Sequence, residues 1–171
     1  GTNGFIAGND QFAITLALMH DNKPIFGIIL QPVTNECYFS WEGINYICDD
    51  KINYRALEYS PLKSSRRVLM GDRGKMSDVN MLSPESVTVI SSSIKYVYLI
   101  TNKADIYPSL YKTMAWDIAA GDSMLQNIGG GIYNLDSSRK TYDIENLTNN
   151  SHVSIRCNNI KKEICDKLIR V

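Results

Sequence analysis

Four short stretches of this sequence have residue types and spacing suited to holding an anion or capping a helix. Asp117 follows Trp116 and precedes Ala119-Ala120-Gly121, at the head of a helical pattern. A carboxylate there accepts backbone N–H bonds and complements the helix dipole, so an N-cap is its plainest role. Ser91-Ser92-Ser93 lies between a strand-like and a helix-like segment. Backbone N–H groups and hydroxyls in such a place hold a phosphate, or cap the helix. Gly1-Thr2-Asn3-Gly4 reads as a small-residue loop able to cradle an anion, and Lys95 is either a solvated helix residue or a ligand clamp. A nucleophilic triad is disfavoured: His20 falls in a turn, and His152 precedes a strand with no evident partner.

The surrounding segments supply the elements that would position them. Apolar residues run nearly unbroken over 12–18 and 25–30, separated by His20-Asp21-Asn22-Lys23, which predicts a hairpin of two strands. Residues 36–41 make a third strand after Pro32, and Gly43-Ile44-Asn45 turns the chain toward 46–48. The apolar continuity of this meander predicts that both of its faces are covered. Composition turns polar and basic over 62–67, next to Pro61, and predicts a boundary between one domain over 1–62 and a second over 63–171. Beyond it come strands at 68–70 and 87–90 and a helix over 93–101. An extended segment over 104–107 ends at Pro108, and a helix over 117–128 is stopped by Gly129-Gly130-Gly131. Strands at 132–135 and 153–155 and an amphipathic helix over 159–169 complete the pattern. Strands alternating with helices predict an α/β layer stacked beside the antiparallel one.

Lys+Arg and Asp+Glu both number 18, so the chain has no net attraction for a nucleic-acid polymer. The cluster at Lys63, Arg66 and Arg67 reads as a solvated loop. Cys37, Cys48, Cys157 and Cys165 lack zinc-site spacing and read as reduced thiols of a cytoplasmic protein. No apolar run is long enough for stable membrane insertion. The chain opens on Gly1 within structured-looking sequence, as if entered in the middle.

In their order these segments resemble the inositol monophosphatase superfamily, nearest its CysQ-type 3'(2'),5'-bisphosphate nucleotidases. Gly1-Thr2-Asn3-Gly4-Phe5-Ile6 is similar to the tail of the family's Asp-Pro-x-Asp-Gly-Thr motif. Residues 9–18 and 23–32 are similar to its continuation, and Ser91 to Lys95 to its Gly-Ser-Ser-Leu-Lys segment. Ala104-Asp105-Ile106-Tyr107-Pro108 resembles Ala-Asp-Leu-Tyr-Pro, and Trp116-Asp117-Ile118-Ala119-Ala120-Gly121 resembles the second motif, Trp-Asp-x-Ala-Ala-Gly. Ser109 stands where these nucleotidases often carry Arg, and Asp72-Arg73-Gly74-Lys75 where they carry Ser-Arg-Ser-His.

The resemblance implies a layered αβαβα sugar-phosphatase fold, α+β in class, here lacking its N-terminal helices and first strands. It implies two or three Mg²⁺ ions, with Asp117 as a metal ligand and the other family ligands ahead of Gly1. Gly1 and Thr2 would bind phosphate through backbone N–H groups, and the Thr2 hydroxyl would orient the attacking water as the catalytic group. Ser92 and Lys95 would contact the nucleotide or its second phosphate. The implied substrate is a small phosphorylated one, adenosine 3',5'-bisphosphate, giving AMP and phosphate; the implied partner is a second copy of the chain or the missing N-terminal segment. The alternatives are an inositol monophosphatase or sugar bisphosphatase, and an inactive fold remnant or split-gene fragment that binds no metal.

Overall fold

The computed structural model describes residues 1–50, 53–60 and 66–169. The expected boundary at 62/63, and Lys63 with it, lies outside these residues.

The first sheet is an antiparallel meander, β1 (Ile14–His20), β2 (Lys23–Gln31), β3 (Glu36–Trp41), β4 (Ile44–Asp50) and β5 (Asn53–Ala56), in that spatial order. Two-residue turns set its register. Asp21 and Asn22 have φ of 46° and 59°, and Glu42 and Gly43 of 47° and 78°, the doubly left-handed turn that matches strand twist. The second turn is therefore Glu42-Gly43, one residue earlier than expected, and Ile44 already belongs to β4. The sequence reading missed β5, an exposed edge strand that lacks an apolar alternation.

The second sheet has the order β10-β12-β8-β6-β7. Its strands are β6 (Arg67–Met70), β7 (Ser86–Val89), β8 (Ile106–Ser109), β10 (Gly131–Asn134) and β12 (His152–Ile155). β6 runs parallel to β7 and β8, while β12 is antiparallel to both β8 and β10. β8 continues through Pro108 rather than ending there. Its pairing with β6 is limited to Val68 opposite Ile106, so a residue without an N–H is tolerated beyond that point. A small ladder joins β9 (Thr113–Met114) to β11 (Thr148–Asn149).

Between the sheets lie α3 (Ile94–Ile100) and α4 (Ala115–Asn127); α2 (Met76–Asn80) and α5 (Lys161–Leu168) cover the far side of the second sheet. The Ala119-Ala120-Gly121 run has a packing reason. An added Cβ at Gly27 of β2 would sit 2.5 Å from the Ala120 carbonyl oxygen, and one at Gly121 would sit 2.0 Å from the Tyr96 ring. Only small residues let α4 fit between β2 and α3. Polar pins complete the join: Ser40 Oγ and Ser123 Oγ are 2.9 Å apart, and Asn45 Nδ2 donates to the Met124 carbonyl at 2.9 Å. Gly129, at φ 74°, ends α4 as a left-handed cap.

The layers thus run sheet, helices, sheet, helices, with one core cluster that takes Ile29, Tyr38 and Ile47 from the first sheet and Leu69, Tyr107 and Ile132 from the second. The outer face of the first sheet is open, which corrects the expectation that both its faces are covered. Leu16 and Leu18 are 61% and 56% exposed and Trp41 54%, against 0% for Ile29 on the inner face. A further strand or helical layer over this face is absent among the described residues.

Candidate active-site cleft

A cleft of about 520 Å³ opens where the two sheets and the helical layer meet. Helix α1 (Thr2–Ala7), the start of β1, the loop after β6, the head of α3, the end of β8 and the head of α4 all contribute to it. It brings together every site residue expected from the sequence: Gly1, Thr2, Ser92, Lys95 and Asp117. Gly1-Thr2-Asn3-Gly4 is not a loop, however. Thr2 begins a helix with Gly1 as its N-cap, and the Phe5 N–H donates to the Gly1 carbonyl at 2.9 Å. A Cβ on Gly1 would stand 2.7 Å from Phe12 Cβ and 3.3 Å from Ser92 Cβ, so the bare glycine seats α1 against the Ser92 turn.

Asp117 is the third residue of α4 rather than its cap. Its Oδ2 accepts the Met114 N–H at 3.0 Å, the back-reaching half of a capping box. Its Oδ1 accepts no hydrogen bond from a described residue, and the side chain is exposed on the cleft wall. Two hydroxyls fix the backbone around it. Ser93 Oγ donates to the Asp117 carbonyl at 2.9 Å, and Thr15 Oγ1 to the Trp116 carbonyl at 3.0 Å, which ties β1 to the head of α4. The Ser91–Ser93 turn is strained: Ser92 has φ 54°, in the left-handed region. Gln11 Oε1 accepts the Ser91 N–H at 2.8 Å, and Ser91 Oγ donates to Asp72 Oδ1. The serines thus position the turn as much as they could meet a ligand.

Lys95 is partly buried, with Nζ 4.9 Å from the centre of the Tyr107 ring. Burial pushes its ammonium down to about 8, against the opposing pull of Asp72 and Asp117. Sequence reasoning missed Thr15 and Tyr111 altogether. Neither has a local signal, because each reaches the cleft through tertiary packing.

Asp72 and Asp117 are the acidic residues lining the cleft, and among the described residues no group of three metal-capable side chains exists. Hard divalent cations take about six oxygen ligands each, several from protein in a clustered site. The described residues do not fit a two-ion or three-ion centre unaided. No helix among the described residues is long and apolar enough to cross a membrane.

Together these features define a layered α+β protein, two sheets around a helical filling, with an acid- and cation-lined cleft at their edge. The chain belongs to the inositol monophosphatase family, whose model matches residues 1–169. It is 27% identical over 149 residues to the 3'(2'),5'-bisphosphate nucleotidase CysQ of Salmonella typhimurium, covering 84% of this chain and 58% of that one. It is also 27% identical over 135 residues to the Escherichia coli K12 enzyme of the same name, covering 78% and 55%. The solved CysQ from Bacteroides thetaiotaomicron superimposes with a TM-score of 0.76 at 25% identity, over 91% of this chain and 66% of that one. The chain therefore spans between 55% and 58% of the length of these two curated relatives.

Proposed function

We propose that this chain is the larger part of a Mg²⁺-dependent cytoplasmic phosphomonoesterase that converts adenosine 3',5'-bisphosphate to AMP and inorganic phosphate. One observation carries the reading: Thr2, Lys95 and Asp117, remote in sequence, line a single cleft. The similarity to CysQ enzymes supports the choice of substrate. Gly1 and Thr2 would bind oxygens of the 3'-phosphate through backbone N–H groups. The Thr2 hydroxyl, with no bond to another described side chain, would orient the water that attacks phosphorus. As the new P–O bond forms, the ester P–O bond breaks, and the released 3'-oxygen takes up a proton. Lys95 and Ser92 would meet the rest of the nucleotide. Asp117 would offer its free Oδ1 to a metal, and the remaining carboxylates would come from residues outside these 171. That same segment would cover the open face of the first sheet.

A second reading, an inactive remnant that binds no metal, draws on the lack of a three-ligand group among the described residues. Phosphate release separates the two. Joined to the preceding family segment, the chain should hydrolyse the bisphosphate in Mg²⁺. Failure on nucleotide, inositol and sugar phosphates alike would favour the remnant.

A further inference from the structure

We propose that Arg73, laid over the ring of Tyr111, is the residue that selects substrates with a second phosphate; this rests on the phosphatase reading above. Among the described residues, Arg73 and Lys95 are the basic ones lining the cleft. Each lies over a tyrosine ring, Arg73 Cζ 4.4 Å from the centre of Tyr111 and Lys95 Nζ 4.9 Å from that of Tyr107. The two tyrosine hydroxyls are hydrogen-bonded to each other at 2.9 Å, so the rings form one platform for both cations. The platform has a backbone requirement. A Cβ on Gly71 would lie 2.3 Å from the Tyr111 hydroxyl and 3.4 Å from that of Tyr107, so only glycine just after β6 lets the pair seat.

Arg73 is poorly occupied by the protein. Its Nη2 donates a long hydrogen bond to the Lys112 carbonyl at 3.5 Å, and no described carboxylate forms an ion pair with it. The neighbouring Asp72 takes the Ser91 hydroxyl and also pulls on Lys95. A guanidinium seated over an aromatic ring can still offer N–H groups to an anion, and phosphate takes two parallel hydrogen bonds from such a group. Two cations on one wall repel each other, and a dianionic phosphate between them relieves that repulsion. Ser109, the position after Tyr107-Pro108, is fully buried and offers no charge. The cation therefore comes from a different element, the loop after β6.

Calorimetric titration of the 171-residue chain with adenosine 3',5'-bisphosphate, fructose 1,6-bisphosphate and adenosine 3'-monophosphate tests this directly. A charge-assisted bidentate contact is worth roughly tenfold or more in affinity. The expected result is tighter binding of the adenosine bisphosphate than of adenosine 3'-monophosphate by about that factor. Arg73→Ala should abolish the preference, and Arg73→Lys should keep part of it, with unchanged thermal midpoints because the side chain is exposed. If fructose 1,6-bisphosphate gains equally, the site still reads a second phosphate, but independently of the nucleoside. An undiminished preference in Arg73→Ala, no preference in the wild type, or no binding of any ligand overturns the assignment. The hydrolysis assay separates the two claims. An Arg73-dependent preference without hydrolysis by the completed enzyme sinks the phosphatase reading alone, and hydrolysis with the preference intact in Arg73→Ala sinks this one alone.

Discussion

The two sheets pack on the same helical layer yet end in opposite ways. Behind the second sheet, α2 and α5 bury Val68, Ile106, Val153 and Ile155 completely or nearly so. Behind the first, Ile14, Leu16, Leu18 and Trp41 face outward over a surface where Phe39 stacks on Tyr46 and Tyr54 meets both edge-on. Exposed apolar area of this extent is unusual on an isolated soluble domain and marks a docking surface. Both sheets carry strands that are apolar on both faces, but only one has its second cover among the described residues. The difference teaches that the composition of a strand reports the environment of the whole protein.

The widest separation between the sheets is expected in core truncations. Leu69→Ala, at a fully buried site of the second sheet, should cost about 2–5 kcal/mol in urea unfolding. Leu16→Ala on the open face should cost less than about 1 kcal/mol. Equal losses would break the comparison and mean that the first sheet is covered in solution. The next effect belongs to His152, fully buried in the second sheet. Its Nδ1 is 3.0 Å from the Asn150 carbonyl, and burial lowers its imidazole to about 4. An unfolded histidine titrates near 6.5, so the folded state resists a proton that the unfolded state accepts. Stability from this group is therefore fully present above about pH 6.5 and falls as pH drops toward 4, by about 3 kcal/mol in all. Urea midpoints at pH 7.5 and 5 measure it, and His152→Asn should flatten the dependence. The smallest effect sharpens the first sheet: Leu16→Asn with Leu18→Asn should change stability by less than about 0.5 kcal/mol. The same pair should reduce binding of a hydrophobic dye and concentration-dependent light scattering. An unchanged dye signal would place the exposed apolar surface elsewhere.

Much of this architecture was legible in the residues. Asp21-Asn22 announced the first hairpin because such residues tolerate left-handed backbone, and Gly129 announced the end of α4 for the same reason. Asp117, Ser92 and Lys95 could be singled out because each sits at the head of a helix, where polar groups are locally distinctive. What stayed hidden depends on contacts between remote segments. β5 has no pattern of its own, α1 looked like a loop because small residues suit both, and the open face reads in sequence like a buried one. The Arg73–Tyr111 stack joins the loops after β6 and β8, which only the folded sheet brings together.

On the proposed function, the described residues hold the phosphate-facing part of a metal-dependent phosphatase but too few clustered carboxylates to run it. The direct measurement is phosphate release from adenosine 3',5'-bisphosphate with and without Mg²⁺, by this chain alone and by the chain joined to the preceding family segment. No Mg²⁺-stimulated release is expected from the chain alone; release is expected from the joined protein, and its loss in Asp117→Ala. Mg²⁺-stimulated turnover by the 171-residue chain alone that disappears in Asp117→Ala would contradict this reading.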